Sequence, residues 1–342
     1  MEERVTIREL ARRSGVSVGT VSRALNGYAD VRPETRERIM RLAAELDYTP
    51  AAAARALVTQ RSHVIGVFME TGEGHPDLQH PFFHEVLGGL KQRVGAEGFD
   101  LLLFASERPG GGYGPHSYLK RARHHNVDGC ALIGLDPTQQ EVRRLVRGEI
   151  PCVAIDMELE GAEVVMSDNE AGAAAAVRHL HALGHRRIAT ITGMIESRPG
   201  IDRLRGYRSA IKALGLAYRD EYVVYGDFYA ESGREATAKL LALEEPPTAI
   251  FAASDLMAIG AIRAAAEAGR RVPAELSIVG FDDIQLAPHF NPPLTTLRQD
   301  KLGLGAAAGD ALVASIAGDP DRPPLRTLPV ELVVRGSTAE VT

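Results

Sequence analysis

From Val64 to Asp283 the chain alternates short apolar runs with amphipathic stretches, and this pattern constrains the fold more than any other feature. VIGVF is followed by helix-like residues 82–97, and then come DLLLFA, GCALIG and CVAID with helical stretches between them. After Gly161 the alternation restarts with EVVMSD, a helix to Leu183, RIATITG, a helix around Asp202–Leu214 and YVVYGDF. TAIFAAS, a helix at Asp255–Ala268 and LSIVGFDD complete it. Strands apolar along their whole length are buried on both faces, so the pattern predicts parallel sheets covered by helices. Two runs of similar length predict two similar lobes. No apolar run approaches the ~20 residues of a membrane span. The N-terminus carries Glu2, Glu3 and Arg4 rather than a signal peptide, so a cytoplasmic location is expected and no membrane partner.

Ahead of that pattern lies Thr6 to Asn26, TIRELARRSGVSVGTVSRALN. Thr6 and Glu9 have capping-box spacing, with the Thr6 hydroxyl accepting from the Glu9 amide and the Glu9 carboxylate reaching back. Ile7, Leu10 and Ala11 share one helical face. Gly15 ends the helix where a left-handed backbone costs glycine nothing. Ser17 can cap a second helix whose inward residues are Val21, Ala24 and Leu25. Two short helices across so tight a turn predict a helix-turn-helix; the alternative is an ordinary helical hairpin. A third helix starts near Pro33, with Ile39, Leu42, Ala43 and Leu46 as its stripe, and stops at Tyr48-Thr49-Pro50. Ala51 to Val58 favours helix but is too short to hold one alone.

Charge separates the two regions. Residues 1–63 hold eleven arginines and no lysine against eight acidic residues, +3, while the whole chain is −6. A basic head on an acidic body suits a DNA-binding domain carried by a sensor.

The carboxyl ends of parallel strands are where ligands collect. Asp156, Phe228, Ser254-Asp255 and Asp282-Asp283 fall there. Singly, a strand-end aspartate is more often a cap. Together they describe a cleft of carboxylates and an aromatic face, suited to a sugar-like or other polar molecule. No strand leads into a GxSxG elbow, and there is no Walker A and no GxGxxG following the first strand, so no catalytic residue and no cofactor is expected. Cys130 and Cys152 lie in apolar runs and read as buried hydrophobes rather than a disulfide. His124-His125 and His179-x-His181 sit on helix-like segments, and no metal site is expected.

Over essentially its whole length the chain resembles the lactose-repressor (LacI) family of transcription regulators. VTIRELARRSGVSVGTVSRALN is similar to the family's N-terminal signature, and TRERIMRLAAELDYTPAAAARAL to its third helix and hinge. LGHRRIATITG, RLRGYRSAIKALGL, AASDLMAIGAIRAAAEAGRRVPAELSIVGFDD, PPLTTLRQD and LVVRGST follow in family order. The resemblance implies an N-terminal all-α helix-turn-helix domain (1–50), a hinge (51–62) and a two-lobed α/β periplasmic-binding-protein-like effector domain (63–342). Its lobes would be about 63–161 with 298–325, and 162–297 with 326–338. The chain would cross between them near Gly161, Leu297 and Arg326.

By the same resemblance, Thr6, Ser17, Val18, Gly19, Thr20, Ser22, Arg23, Asn26, Arg32 and Thr35 lie at double-stranded operator DNA. Arg23 is the candidate for bidentate contact to guanine. Gly19 has no side chain to read with and weakens its helix by about 1 kcal/mol. Arg32 stands where the family commonly has a capping serine, so a phosphate contact replaces a cap. Leu57 matches the leucine wedged into the minor groove, with Ala54 and Arg55 beside it, and a homodimer on a near-palindrome brings two wedges together. Asp156, Arg203 and Asp282 match polar effector contacts, Phe228 an aromatic stacking position, Phe82 and Phe83 the rim. Ser254 fills a position where relatives often have asparagine. The bland reading of Arg203 is a surface ion pair with Asp202.

The implied function is a repressor controlled by a small-molecule effector, expected to be a carbohydrate. A two-lobed solute-binding protein lacks the N-terminal helices, and an enzyme on this scaffold lacks a catalytic set. A gel shift separates the first from the other two.

Overall fold

The computed structural model describes residues 5–25, 28–48, 61–70, 80–105, 117–319 and 325–341. The chain divides into Met1–His63 and Val64–Thr342. Asn26, Ala54, Arg55, Leu57 and nearly all of the expected hinge lie outside the described residues.

Among its described residues the first unit has three helices, α1 (Ile7–Ser14), α2 (Val18–Leu25) and α3 (Pro33–Glu45). Thr6 Oγ1 accepts from the Glu9 amide at 3.3 Å. The expected return leg is not formed. The Glu9 carboxylate turns to Arg12 and Arg13, which hold its carboxyl well below the usual range. Gly15 takes φ +69°, a left-handed cap that a Cβ would strain. Ser17 Oγ caps α2 through the Thr20 amide at 3.1 Å. Leu10, Ala11, Val21, Ala24, Ile39 and Ala43 form the core, with Leu25, Leu42 and Leu46 half-buried against it. Ala11, a small residue on α1, is buried in this core.

The second unit contains two six-stranded sheets. Strands β1 (Val64–Met69), β2 (Asp100–Leu103), β3 (Gly129–Ile133), β4 (Cys152–Ile155), β5 (Glu163–Ser167) and β11 (Leu325–Leu328) run in the order β11-β5-β4-β3-β1-β2. Strands β6 (Ile188–Thr192), β7 (Val223–Tyr225), β8 (Ala249–Ala252), β9 (Ser277–Asp282), β10 (Thr295–Gln299) and β12 (Val330–Val333) run β12-β10-β9-β8-β6-β7. Strand residues alternate between helical layers, which is why each run is apolar throughout. Ile65 and Val67 face α4 (Pro81–Ala96) and α11 (Lys301–Ala317), whereas Phe68 faces α5 (Tyr118–His124) and α6 (Gln140–Val146). In the second lobe, Phe251 and Phe281 face α7 (Asn169–Ala182) and α8 (Arg198–Ala213). Ile250 and Ile278 face α9 (Ala230–Leu241) and α10 (Asp255–Glu267). Full burial of one such side chain contributes roughly 1.5–3 kcal/mol. Gly89 and Gly305 let α4 and α11 approach backbone to backbone, since a Cβ at either would run into the other helix or its start. Cys130 and Cys152 are buried free thiols on register partners of β3 and β4.

Three sequence expectations about the lobes are corrected. The strand in EVVMSD belongs to the first sheet, pairing with β4 and β11. The connection from Asp156 to Ala162 returns it beside β4 without a helix, so the restart of the pattern is not the lobe boundary. The chain crosses at Asp168, not Gly161; at Asp300, not Leu297; and at Pro329, not Arg326. The second sheet is not wholly parallel, because β12 pairs with β10 antiparallel. β10 ends at the crossing and β12 begins there, so the two must run in opposite directions.

Candidate functional site

The second lobe builds most of a polar cluster at its strand ends. Arg203, on α8, is 3% exposed. Its Nε donates to Asn169 Oδ1 at 2.8 Å and its Nη1 to the Ala253 carbonyl at 2.5 Å. Nη1 also lies 3.7 Å from Asp282 Oδ1, and the guanidinium sits 3.8 Å from the centroid of the Phe281 ring and 5.7 Å from that of Phe228. Burial opposes its charge, and Asp282 and Asp156 favour it. The surface pair with Asp202 is not what forms: Asp202 is taken by Arg198 and Arg205.

Asp282 ends β9 with φ +125° and is 2% exposed. Its Oδ1 accepts from Gln299 Nε2 at 2.7 Å, while Oδ2 has no hydrogen-bond partner among the described residues. Asp283 is spent elsewhere, on Arg298 and Arg335. Asp255 is fully buried; it accepts from Thr296 and the Ile284 amide, and burial, reinforced by Asp282, pushes its carboxyl up. Phe228 takes φ +74° in the loop after β7, its ring over Gly193, where a Cβ would collide with it. Ser254 holds that loop. Its hydroxyl donates to the Phe228 carbonyl at 2.8 Å and accepts from the Met257 amide at 3.1 Å, with no exposure. Ser254 therefore positions Phe228 and caps α10, and its hydroxyl is committed within the protein.

The first lobe contributes Asp156, in a left-handed turn (φ +54°) after β4 and accepting from the Ser167 amide at 3.3 Å. Burial pushes its carboxyl up to about 6, against the pull of Arg203. Phe82 packs into the first lobe's core, and Phe83, half-buried, meets Phe82 edge-on at 5.4 Å. The structure thus gathers Asp156, Arg203 and Asp282, with Phe228 alongside.

Sequence reasoning passed over Asn169, Gln299, Ser167 and His80. Asn169 fixes the Arg203 fork and Gln299 fixes Asp282. His80 caps α4 by accepting the Phe82 amide on Nδ1, which leaves the proton on Nε2. Its ring meets those of Phe83 and Tyr229 edge-on, at 5.8 and 5.6 Å. Burial lowers its pKa although Asp282 pulls the other way. Among the described residues Asp282 Oδ2, Gln299 Oε1 and Ser167 Oγ are buried polar atoms without a hydrogen bond, while the His80 ring faces the Phe228 backbone. Such atoms are costly unless a ligand or water pairs them. The one available signal was position, since each lies at a strand end or at the start of a helix. Among the described residues no group of three His, Cys, Asp or Glu could hold a metal ion.

In the first unit, Ser17, Val18, Gly19 and Arg23 are exposed on one side of α2, with Thr20 and Ser22 partly so. Thr6 and Arg32 are also exposed, and Thr35 is half-buried. Arg32 makes no side-chain cap to α3. Arg23 pairs with Asp30 at 3.1 Å, both well exposed. Such a pair is worth about 0–1 kcal/mol, so Arg23 is readily redirected to another partner.

Residues 6–51 match the bacterial regulatory proteins of the lacI family, and residues 177–338 match the periplasmic binding protein-like domain. The HTH-type transcriptional regulator CelR of Thermobifida fusca is 36% identical over 345 residues, 98% of each chain. The structure of a CelR–cellobiose complex matches with a TM-score of 0.74 and 34% identity, over 98% of this chain and 100% of that one. A Lac repressor dimer bound to operator and the anti-inducer ONPF matches with a TM-score of 0.85 and 30% identity, over the same shares. No helix among the described residues is long and apolar enough to cross a membrane.

Proposed function

The chain belongs to the lacI family of bacterial regulatory proteins, and from that premise we propose that it is a cytoplasmic dimeric repressor released from its operator, or fixed to it, by a neutral carbohydrate. One observation carries the choice of ligand. Among the described residues two unpaired buried atoms of the cleft, Asp282 Oδ2 and Gln299 Oε1, can only accept, and the carboxylate of Asp156 lies near Asp282. Arg203 has given Nε and Nη1 to Asn169 and Ala253, and Asp282 and Asp156 offset its charge within the protein. A ligand rich in hydroxyl donors satisfies these acceptors, while an anion meets repulsion from two carboxylates. Phe228 offers a ring to the apolar face of a sugar. The cleft holds its ligand rather than transforming it: the cluster contains no activated nucleophile.

On the DNA side, Ser17, Val18, Thr20, Ser22 and Arg23 enter the major groove, Arg32 meets a phosphate, and Leu57 acts as the minor-groove wedge. A dimer presents two such heads to a near-palindrome. The CelR–cellobiose complex and the operator-bound Lac repressor support both halves of this reading. Footprinting of the full chain upstream of neighbouring genes, with and without neutral sugars and sugar phosphates, tests it. The footprint should weaken by orders of magnitude from low to moderate salt and respond to a neutral sugar. A footprint that responds only to the phosphorylated sugars overturns the choice of ligand.

A further inference from the structure

The second crossing between lobes is a single residue, Asp300, between β10 and α11. Its carboxylate caps α11 through the Gly303 amide at 2.8 Å. The next residue, Lys301, is the first of α11, which packs in the first lobe, yet it is only 3% exposed. A lysine is almost never buried without partners, because an ammonium leaves water only when its donors are met. Here Nζ donates to the Asp282 carbonyl at 2.6 Å and to the Asp283 carbonyl at 3.0 Å, both in the second lobe. The Glu85 carboxylate on α4, in the first lobe, lies 3.6 Å away and balances the charge.

The two carbonyls belong to consecutive residues with positive φ, +125° and +50°. An aspartate pays for that backbone, and it persists because surrounding bonds over-determine it. The same Asp282 carries the unpaired Oδ2 of the cleft. One residue thus meets the cleft through its side chain and the first lobe through its peptide.

We propose that Lys301 is a positioning residue that couples occupancy of the cleft at Asp282 to the angle between the lobes. This rests on the effector reading above. A ligand that draws on Asp282 Oδ2 loads the 282–283 peptides, and Lys301 passes the load to α11 and, through Glu85, to α4. The three partners act together, since losing any carbonyl contact leaves a buried ammonium donor unmet and losing Glu85 removes the counter-charge. An arrangement that keeps all three and one that exchanges them are two discrete states, and an effector selects between them by differential affinity.

Lys301→Met in the full chain keeps the stem and removes the donors. Operator affinity without effector should stay within about threefold of wild type, while the sugar-induced change in that affinity should shrink at least about fivefold. Spin labels on Lys120→Cys and Lys239→Cys, exposed positions in the first and second lobes, report the interlobe distance without any ligand. Its distribution should broaden in Lys301→Met. Glu85→Gln, which spares both carbonyl bonds, should broaden it less, and it decides the matter if Lys301→Met does not fold. A wild-type protein indifferent to every sugar overturns the effector reading and leaves the distance measurement to judge Lys301. An unchanged distribution together with unchanged coupling overturns the proposal.

Discussion

The two lobes share a strand order, and the equivalent strands β4 and β9 each end in an aspartate with positive φ, Asp156 and Asp282. The two carboxylates are held very differently. Asp282 has Gln299 on its side chain, Arg203 beside it and Lys301 on its carbonyl. Asp156 has one amide of its own lobe, and the other groups that favour its charge, Arg203 and the side chain of Asn169, belong to the other lobe. The same fold position therefore yields a braced carboxylate in one lobe and a pH-sensitive one in the other. The second lobe is the pre-organised half of the cleft; the first completes it.

The largest test of that asymmetry is Arg203→Ala. It strips the counter-charge from both aspartates and leaves Asn169 and the Ala253 carbonyl without a donor. Breaking a buried pair in this way costs about 3–5 kcal/mol, which denaturant unfolding of the effector domain should show. Sugar response should be lost even at saturating wild-type concentrations. The operator footprint without sugar should persist. Arg203→Lys should restore little, since one ammonium cannot serve the Nε and Nη1 partners in the plane of a fork. If Arg203→Ala unfolds no more easily than wild type, the second lobe is not the braced half.

Next in size is a pH effect confined to the first lobe. With the Asp156 carboxyl raised to about 6 by burial, the folded protein holds a proton there that the unfolded chain has released above the ordinary range. Stability from this group is therefore highest at low pH and falls as pH rises through about 6. If the ligand binds the ionised form, its affinity should rise by about tenfold from pH 5 to pH 7, as the ionised fraction does. Isothermal titration at the two pH values checks this, and Asp156→Asn should flatten the profile. His80, Asp282 and Arg203 also face this region, so Asp156→Asn is what assigns the slope to Asp156. A slope that survives in Asp156→Asn places the titrating group elsewhere.

How legible this asymmetry was depends on whether a contact is local. The alternation of apolar runs follows from burial on both sheet faces and is written in each run, so the layers were readable. Thr6, Gly15 and Ser17 act within one turn and were readable too. Asp282 was readable as a strand-end carboxylate, whereas Arg203 came through resemblance alone; nothing near Arg203 in sequence signals that it is buried rather than paired with Asp202. The place of β5 was hidden because a seven-residue return without a helix does not resemble a parallel connection. Gln299 and Lys301 look like ordinary surface residues at a strand–helix junction. Only the approach of β9, more than fifteen residues away, makes one a carboxylate brace and the other a buried tie.

The smallest expected effect concerns Ser254, which stands one step behind Phe228. Its hydroxyl is shared between the Phe228 carbonyl and the Met257 amide. Removing a serine N-cap costs about 1 kcal/mol, so Ser254→Ala should lower unfolding stability by that order and no more. The loss of the second bond frees the loop that sets Phe228 at φ +74° over Gly193. Ring stacking on a sugar should then weaken by a few fold, whereas the Arg203–Asp282 cluster, held by Asn169, Gln299 and Lys301, stays in place. Ser254→Thr keeps the hydroxyl and should recover the cap, though its methyl has no free volume at a fully buried position. Sugar affinity measured beside Phe228→Ala decides the order of action. If Ser254 works through Phe228, the double variant Ser254→Ala/Phe228→Ala binds no more weakly than Phe228→Ala alone. Additive losses would mean that Ser254 touches the ligand itself, and the second lobe would then present one more recognition group than its hydrogen bonds account for.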